Sequence, residues 1–153
     1  MKVFFDTSVL VAALEKGHPR HGECWPCLNA AKTQQIQGAL STHSFAECYA
    51  VLTRLPVRPP ITPLIAQRLI YTNLLDLEVV ALTSALYQRA IDRLVGLNLS
   101  GGVMFDALLA EAAIASGAEV LLTGNMKDFC RLGADVADLA CEAKDFLPRL
   151  SQT

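Results

Sequence analysis

Five short apolar runs, separated by stretches of helical period, constrain this 153-residue chain more than any other feature. They are Val3 to Phe5, Ala39 to Thr42, Leu77 to Leu82, Val120 to Leu122 and Leu139 to Cys141. Val3-Phe4-Phe5 and Val120-Leu121-Leu122 are apolar without alternation, the pattern of parallel strands buried on both faces. Helical segments are expected between the runs. A short one from Val9 to Leu14 ends at Gly17, and a second pattern runs from His18 to Lys32, with Pro26 tolerable at a helix start and costly inside. Thr42 or Ser44 can cap a helix from about Phe45 to Leu55, and Thr62-Pro63 opens another to about Leu75. Thr83 or Ser84 caps a helix through about Leu94, Phe105 to Ser116 forms the next, a short turn of helix follows Asn125, and a terminal helix starts near Ala143. Strands alternating with helices predict an α/β fold whose central, mostly parallel sheet of about five strands is flanked by helices.

No repeat, linker or low-complexity tract interrupts the pattern, so residues 1–153 read as a single domain. A hydrophobic fraction of 52% fits a compact core, and only 18% charged residues leaves apolar surface for a partner or a second copy. There is no 18-residue apolar run to cross a membrane. Asp6 and Glu15 interrupt the N-terminal apolar stretch where a signal peptide would need continuity, which favours a cytoplasmic protein. The five cysteines (24, 27, 48, 130 and 141) have no disulfide-framework spacing, and Cys48, Cys130 and Cys141 sit in apolar company as small buried hydrophobes.

Four carboxylates stand at turning points. Asp6 ends the first strand and is followed by the hydroxyls of Thr7 and Ser8. Glu47 lies in the first turns of the helix after the second strand, Asp106 opens the helix after Gly101-Gly102, and Asp128 follows the turn that leaves the fourth strand. In a parallel sheet the carboxyl ends share one edge, the edge where ligands bind, so Asp6, Glu47 and Asp128 can converge there. Asp106 joins them only if its helix starts at that edge and runs back across the sheet. Each acid also has an ordinary reading: Asp6 as a helix cap, Glu47 as a solvated helix residue, Asp106 as a first-turn acid, Asp128 as the capping partner of Asn125. Against these, Glu47 and Asp106 have apolar neighbours on both sides, where an acid needs a partner or a cation. Two carboxylates about 5 Å apart repel by roughly 3 kcal/mol at an effective dielectric near 20, and no lysine or arginine stands beside Asp6, Glu47 or Asp106 in the sequence. An all-oxygen cluster of this kind suits Mg²⁺ or Mn²⁺ rather than zinc, and such a site can activate water against a phosphodiester. The net charge of −2 does not exclude a nucleic-acid substrate, since setting four of the 15 acids aside as metal ligands leaves 11 against 13 basic residues.

The segments F-F-D-T-S-V-L, S-F-A-E-C-Y-A-V-L, G-G-V-M-F-D-A-L-L-A and L-L-T-G-N-M-K-D-F, in this order and spacing, resemble PIN-domain ribonucleases. Within that family they are most similar to the toxins of VapC-type toxin–antitoxin pairs. The resemblance implies a three-layer PIN-like fold and metal-site acids at Asp6, Glu47, Asp106 and Asp128, with Thr7, Thr123 and Asn125 as polar support. It also implies an endoribonuclease dependent on Mg²⁺ (or Mn²⁺) acting on single-stranded or structured RNA, a homodimer, and a cognate antitoxin whose tail occupies the active-site groove. Lys127, Arg131, Arg54 and Arg58 are the basic candidates for backbone contacts.

Three readings compete. Cys24-Trp25-Pro26-Cys27 has the spacing of a thioredoxin-type redox pair, yet His18 to Glu23 supplies no strand before it. His18, His21, Cys24 and Cys27 recur at intervals of three, and on one helix they rotate by about 100° per residue and cannot all converge on zinc. A PIN-like module whose acids serve a partner rather than catalysis is the third. His43 reads simply as a residue of the turn before the Glu47 helix.

Overall fold

A computed structural model describes residues 1–151; Gln152 and Thr153, the end of the expected domain, lie outside the described residues. The strands are β1 (Lys2–Phe5), β2 (Gln37–Ser41), β3 (Glu78–Val80), β4 (Val120–Leu122) and β5 (Ala140–Cys141). The helices are α1 (Thr7–Leu14), α2 (His21–Lys32), α3 (Thr42–Leu52), α4 (Pro63–Leu74), α5 (Ser84–Gly96), α6 (Val103–Ala115), α7 (Met126–Cys130), α8 (Ala134–Leu139) and α9 (Ala143–Leu150). All strand pairs are parallel, in the order β3-β2-β1-β4-β5.

This sheet is apolar on both faces. Val3, Phe5, Leu40, Val120 and Leu122 pack with α1, α2, α3, α4 and α9, while Phe4, Ala39 and Leu121 face the second core, built from α5, α6, α7 and α8. Successive side chains of one strand therefore enter opposite cores, which explains why the strands read as unbroken apolar runs. The order also places the winding reversal between β1 and β4, the position where α/β sheets open a crevice at their carboxyl edge. Asp6 leaves β1 and Thr123 leaves β4 on the two sides of that crevice, and the Asp6 amide donates to Leu122 O at 2.9 Å to hold the strand ends together.

Several expectations shift. The cap of α3 is Ser41, whose Oγ accepts from Ser44 N at 3.2 Å, so the helix starts earlier than expected and His43 belongs to it rather than to a preceding turn. Asp6 and Asn125 occupy N-cap positions without making a side-chain cap hydrogen bond. Pro26 lies inside α2, where the prolyl ring replaces a backbone donor. Helix α8 was not expected: it is only six residues long, too short for helical periodicity to register. It is held from α5 by Arg93, which donates to Asp135 Oδ1 and Oδ2 at 2.8 Å and to Glu111 Oε1 of α6 at 2.7 Å. Cys130, expected to be buried, is exposed at the end of α7, while Cys24, Cys27, Cys48 and Cys141 are buried. Among the described residues no helix is long and apolar enough to cross a membrane.

Candidate active site

The crevice at the carboxyl edge is a cavity of about 420 Å³ whose wall includes Asp6, Thr7, Ser8, His18, Glu47 and Asp106. Asn125 contributes from the turn after β4, and Phe105 and Leu109 from α6. Helix α6 starts at this edge and runs back toward β4, so Asp106 in its first turn joins Asp6, as the crossover geometry required.

Asp6 is 6% exposed, and its carboxylate is supported by hydroxyls rather than by a cation. Ser8 Oγ donates to Asp6 Oδ2 at 2.6 Å and Thr123 Oγ1 donates to the same oxygen at 2.8 Å. Each hydroxyl is itself held: Gly124 N donates to Ser8 Oγ and Asn125 N to Thr123 Oγ1, both at 2.9 Å. Burial raises the Asp6 pKa above the ordinary carboxylate value; the Ser8 and Thr123 hydrogen bonds oppose that rise and Glu47 adds to it.

Glu47 is half-buried on α3. Thr7 Oγ1 donates to Glu47 Oε2 at 2.6 Å, and His43 Nε2 stands 3.4 Å from Oε1 one helical turn earlier. The His43 ring stacks on Phe105 at 6.0 Å between centroids, fixing the wall beside Asp106. Asp106 itself has no hydrogen-bond or ion-pair partner among the described residues. Desolvation, followed by the charges of Asp6, Asp128 and Glu47, pushes its pKa from 3.8 to about 6. Asp128 sits apart from the cavity wall, where Asn125 Nδ2 donates to its Oδ2 at 2.8 Å and Arg131 Nη1 lies 3.4 Å from its Oδ1. Those contacts, the Asn125 hydrogen bond foremost, lower its pKa.

Of the basic candidates, Arg131 pairs with Asp128, and Arg54 donates from Nε to Ala50 O of its own helix. Lys127 is exposed on α7, and Arg58 lies in the connector beyond α3. Ser8 stands beside Asp6 as the sequence suggested, and His18 and His43 are the site residues that sequence reasoning did not place there. The four-residue spacing of His43 and Glu47 was the one local signal available for them.

The donor set fits a hard divalent cation. Asp6, Glu47 and Asp106 bring only oxygen to one cavity, no lysine or arginine pairs with any of them, and the Asp106 pKa is raised by desolvation and then by the neighbouring acids, with no cation to offset either. Among the described residues no three His, Cys, Asp or Glu are clustered tightly enough to cage an ion unaided. Mg²⁺ does not need such a cage, since it keeps several of its waters and is bound through one or two carboxylates. The competing chemistries find no support. Cys24 and Cys27 are fully buried free thiols whose pKa values burial pushes up to about 11 and about 12, the reverse of what a redox pair needs. His21 turns its Nδ1 to Ala12 O at 3.1 Å and stacks on Trp25, away from any zinc-like group.

The PIN domain model matches residues 3–135, and the chain belongs to the PIN-domain family. Ribonuclease VapC40 of Mycobacterium tuberculosis is 34% identical over 116 residues, covering 76% of this chain and 81% of that protein. Ribonuclease VapC27 of the same organism is 32% identical over 115 residues, covering 75% and 79%. Within the family the chain is therefore a ribonuclease of the VapC toxin type. In fold it is similar to the Rickettsia felis VapBC2 structure bound to a DNA fragment from its promoter, with a TM-score of 0.68 and 23% identity over 93% of this chain and 98% of that one. It is also similar to VapC20 of Mycobacterium tuberculosis, a sarcin–ricin loop cleaving toxin, with a TM-score of 0.61 and 20% identity over 78% and 86%. Nucleases of this family depend on divalent metal ions.

Proposed function

We propose that the cavity between β1 and β4 is the RNA-cleaving centre of a Mg²⁺-dependent endoribonuclease. The observation that carries this reading is Asp106, an unpaired carboxylate whose pKa is driven up to about 6 beside Asp6 and Glu47. Asp6 and Asp106 would hold Mg²⁺ (Mn²⁺ would also fit), with Glu47 and Asp128 completing the acidic site. When bound, the ion supplies Lewis-acid polarisation of the phosphate and a lowered pKa for its water. Ser8 and Thr123 fix the Asp6 carboxylate so that it needs no reorganisation on binding. Thr7 anchors Oε2 of Glu47, which leaves that carboxylate oriented to take a proton from the attacking water. Thr123 and Asn125 hold the turn after β4 against the strand-one acid, and Asp128 steadies the Asn125 amide.

The purified protein should cleave single-stranded or structured RNA with Mg²⁺ or Mn²⁺ and stop with EDTA. Asp6→Asn and Asp106→Asn should each remove metal-dependent cleavage. Unchanged cleavage in both variants would refute the assignment, and RNA binding without cleavage by the native protein would place it among silent PIN-like modules.

By its likeness to VapC proteins, we assign it a cognate antitoxin, a homodimeric state and a cytoplasmic location, with residues 1–153 forming one domain. An exposed apolar groove between α3 and α4, lined by Phe45, Tyr49, Leu64, Tyr71 and Leu75, supports a protein partner on the same helix that carries Glu47. Co-expression with the product of the neighbouring open reading frame, followed by light scattering of the purified complex, tests both associations.

A further inference from the structure

An RNA strand entering this cavity meets acids that can only accept hydrogen bonds, while its own phosphate oxygens also only accept. Donors on the wall are therefore what a phosphate must find. Most are already committed: Thr7 Oγ1 to Glu47, Ser8 Oγ to Asp6, and one hydrogen of Asn125 Nδ2 to Asp128. His18 is different. It lies in the loop between α1 and α2 and lines the cavity.

The loop holds that ring in one protonation pattern. Arg20 N donates to His18 Nδ1 at 3.1 Å, so Nδ1 must be an acceptor and the neutral ring carries its proton on Nε2. The backbone is fixed on both sides, His18 N donating to Glu15 O at 3.0 Å and His21 N to His18 O at 2.9 Å. The Arg20 side chain packs over Gly124 beside Ser8, which ties the loop to the turn after β4. Nε2–H has no protein partner among the described residues.

We infer that His18 positions the substrate by donating its Nε2–H to a phosphate oxygen of the RNA strand in the cavity. A single N–H donor suits this place: it reaches the phosphate while Nδ1 stays engaged with the Arg20 amide. The inference rests on the cavity being the cleavage centre.

Glutamine and asparagine separate the two ring nitrogens, since a glutamine amide reaches the Nε2 position and an asparagine amide the Nδ1 position. A fluorescein-labelled, mixed-sequence single-stranded RNA serves as probe, with KM and kcat from cleavage and Kd from anisotropy in the Asp106→Asn background. His18→Ala should raise KM and Kd about ten- to a hundredfold, the effect of one lost hydrogen bond to a charged group, with a smaller change in kcat. His18→Gln should restore both and His18→Asn should not. The inference is overturned if His18→Asn restores binding and His18→Gln does not, which would mean that the ring serves only to accept from Arg20 N. It is equally overturned if all three variants keep the native KM and Kd. Thermal unfolding of each variant separates a binding loss from a folding loss, and the glutamine–asparagine contrast decides even where His18→Ala is unstable. Asp6→Asn and Asp106→Asn distinguish the two levels: cleavage retained in both removes the site assignment and this inference together, whereas cleavage lost there with a flat His18 series removes this inference alone.

Discussion

Replacing Asp106 with asparagine should stabilise the metal-free protein while abolishing cleavage. The side chain makes no hydrogen bond that the amide would forfeit, and the substitution conserves volume. What it removes is a charge held at a cost, because desolvation and the neighbouring acids raise the carboxyl pKa from 3.8 to about 6. At about 1.4 kcal/mol per pH unit the displacement corresponds to roughly 3 kcal/mol, and solvent screening of a half-exposed group reduces this to about 1 kcal/mol. For a chain of this size that is a gain in Tm of about 2–4 °C. The sign follows from proton linkage. Below pH 3.8 the folded and unfolded carboxyls are both protonated and the group has no effect on stability. Between 3.8 and about 6 the folded state binds more protons than the unfolded one, so native stability falls as pH rises. Above about 6 the penalty is complete and constant. Thermal unfolding in EDTA should therefore show native and Asp106→Asn proteins nearly equal at about pH 4 and separated at about pH 7.5. Adding Mg²⁺ should close the gap by stabilising the native protein alone. A variant less stable than the native protein at the higher pH, or a difference independent of pH, would refute the reasoning.

Three further perturbations probe the surroundings. Thr123→Val removes the donor to Asp6 and the acceptor for Asn125 N from a fully buried position, and should cost about 1–3 kcal/mol in urea unfolding together with a loss of cleavage. Gly38→Ala would set a Cβ 2.6 Å from Ala31 Cβ and 3.1 Å from the Leu77 side chain, so it should destabilise by about 1–3 kcal/mol while leaving cleavage per folded molecule unchanged. A thiol reagent at about pH 8 should label Cys130 alone in the folded protein, because the other four thiols are buried and have raised pKa values; rapid labelling that survives Cys130→Ser would contradict this.

The architecture was legible where burial on both faces left an unbroken apolar run, as at Val3-Phe4-Phe5 and Val120-Leu121-Leu122. It was not legible where an element is short and held by distant partners. Helix α8 depends on Arg93 reaching 42 residues along the chain to Asp135, and no local pattern encodes that contact. The cap of α3 shows a different limit: Ser41, Thr42 and Ser44 are all competent caps, and the choice falls to Ser41 because β2 runs through it as the last strand residue. Cys130 was misjudged because its neighbour Phe129 faces the core, and one step along a helix turns a side chain by about 100° to the surface.

The site divides along the same line. Asp6, Glu47 and Asp106 could be named from sequence because a carboxylate amid apolar neighbours is conspicuous. Their supporting hydroxyls were visible beside Asp6 (Thr7, Ser8) or through the family resemblance (Thr7, Thr123), but which carboxylate each serves was not, because the partners meet only in the fold. Thr123 reaches Asp6 across 117 residues and Thr7 reaches Glu47 across 40. This support is unequal, and the inequality has a consequence. Asp6 has two hydroxyl donors on one oxygen, and they oppose the rise that burial gives its pKa. Asp106 has none, and desolvation followed by the charges of its acidic neighbours drives its pKa up to about 6, so its proton is lost close to neutral pH. Cleavage should accordingly rise as pH climbs through about 6, with Asp106 as the group that must lose its proton before the cation binds. A Mg²⁺ affinity that stayed constant between about pH 5 and about pH 7.5 would assign that role to another group.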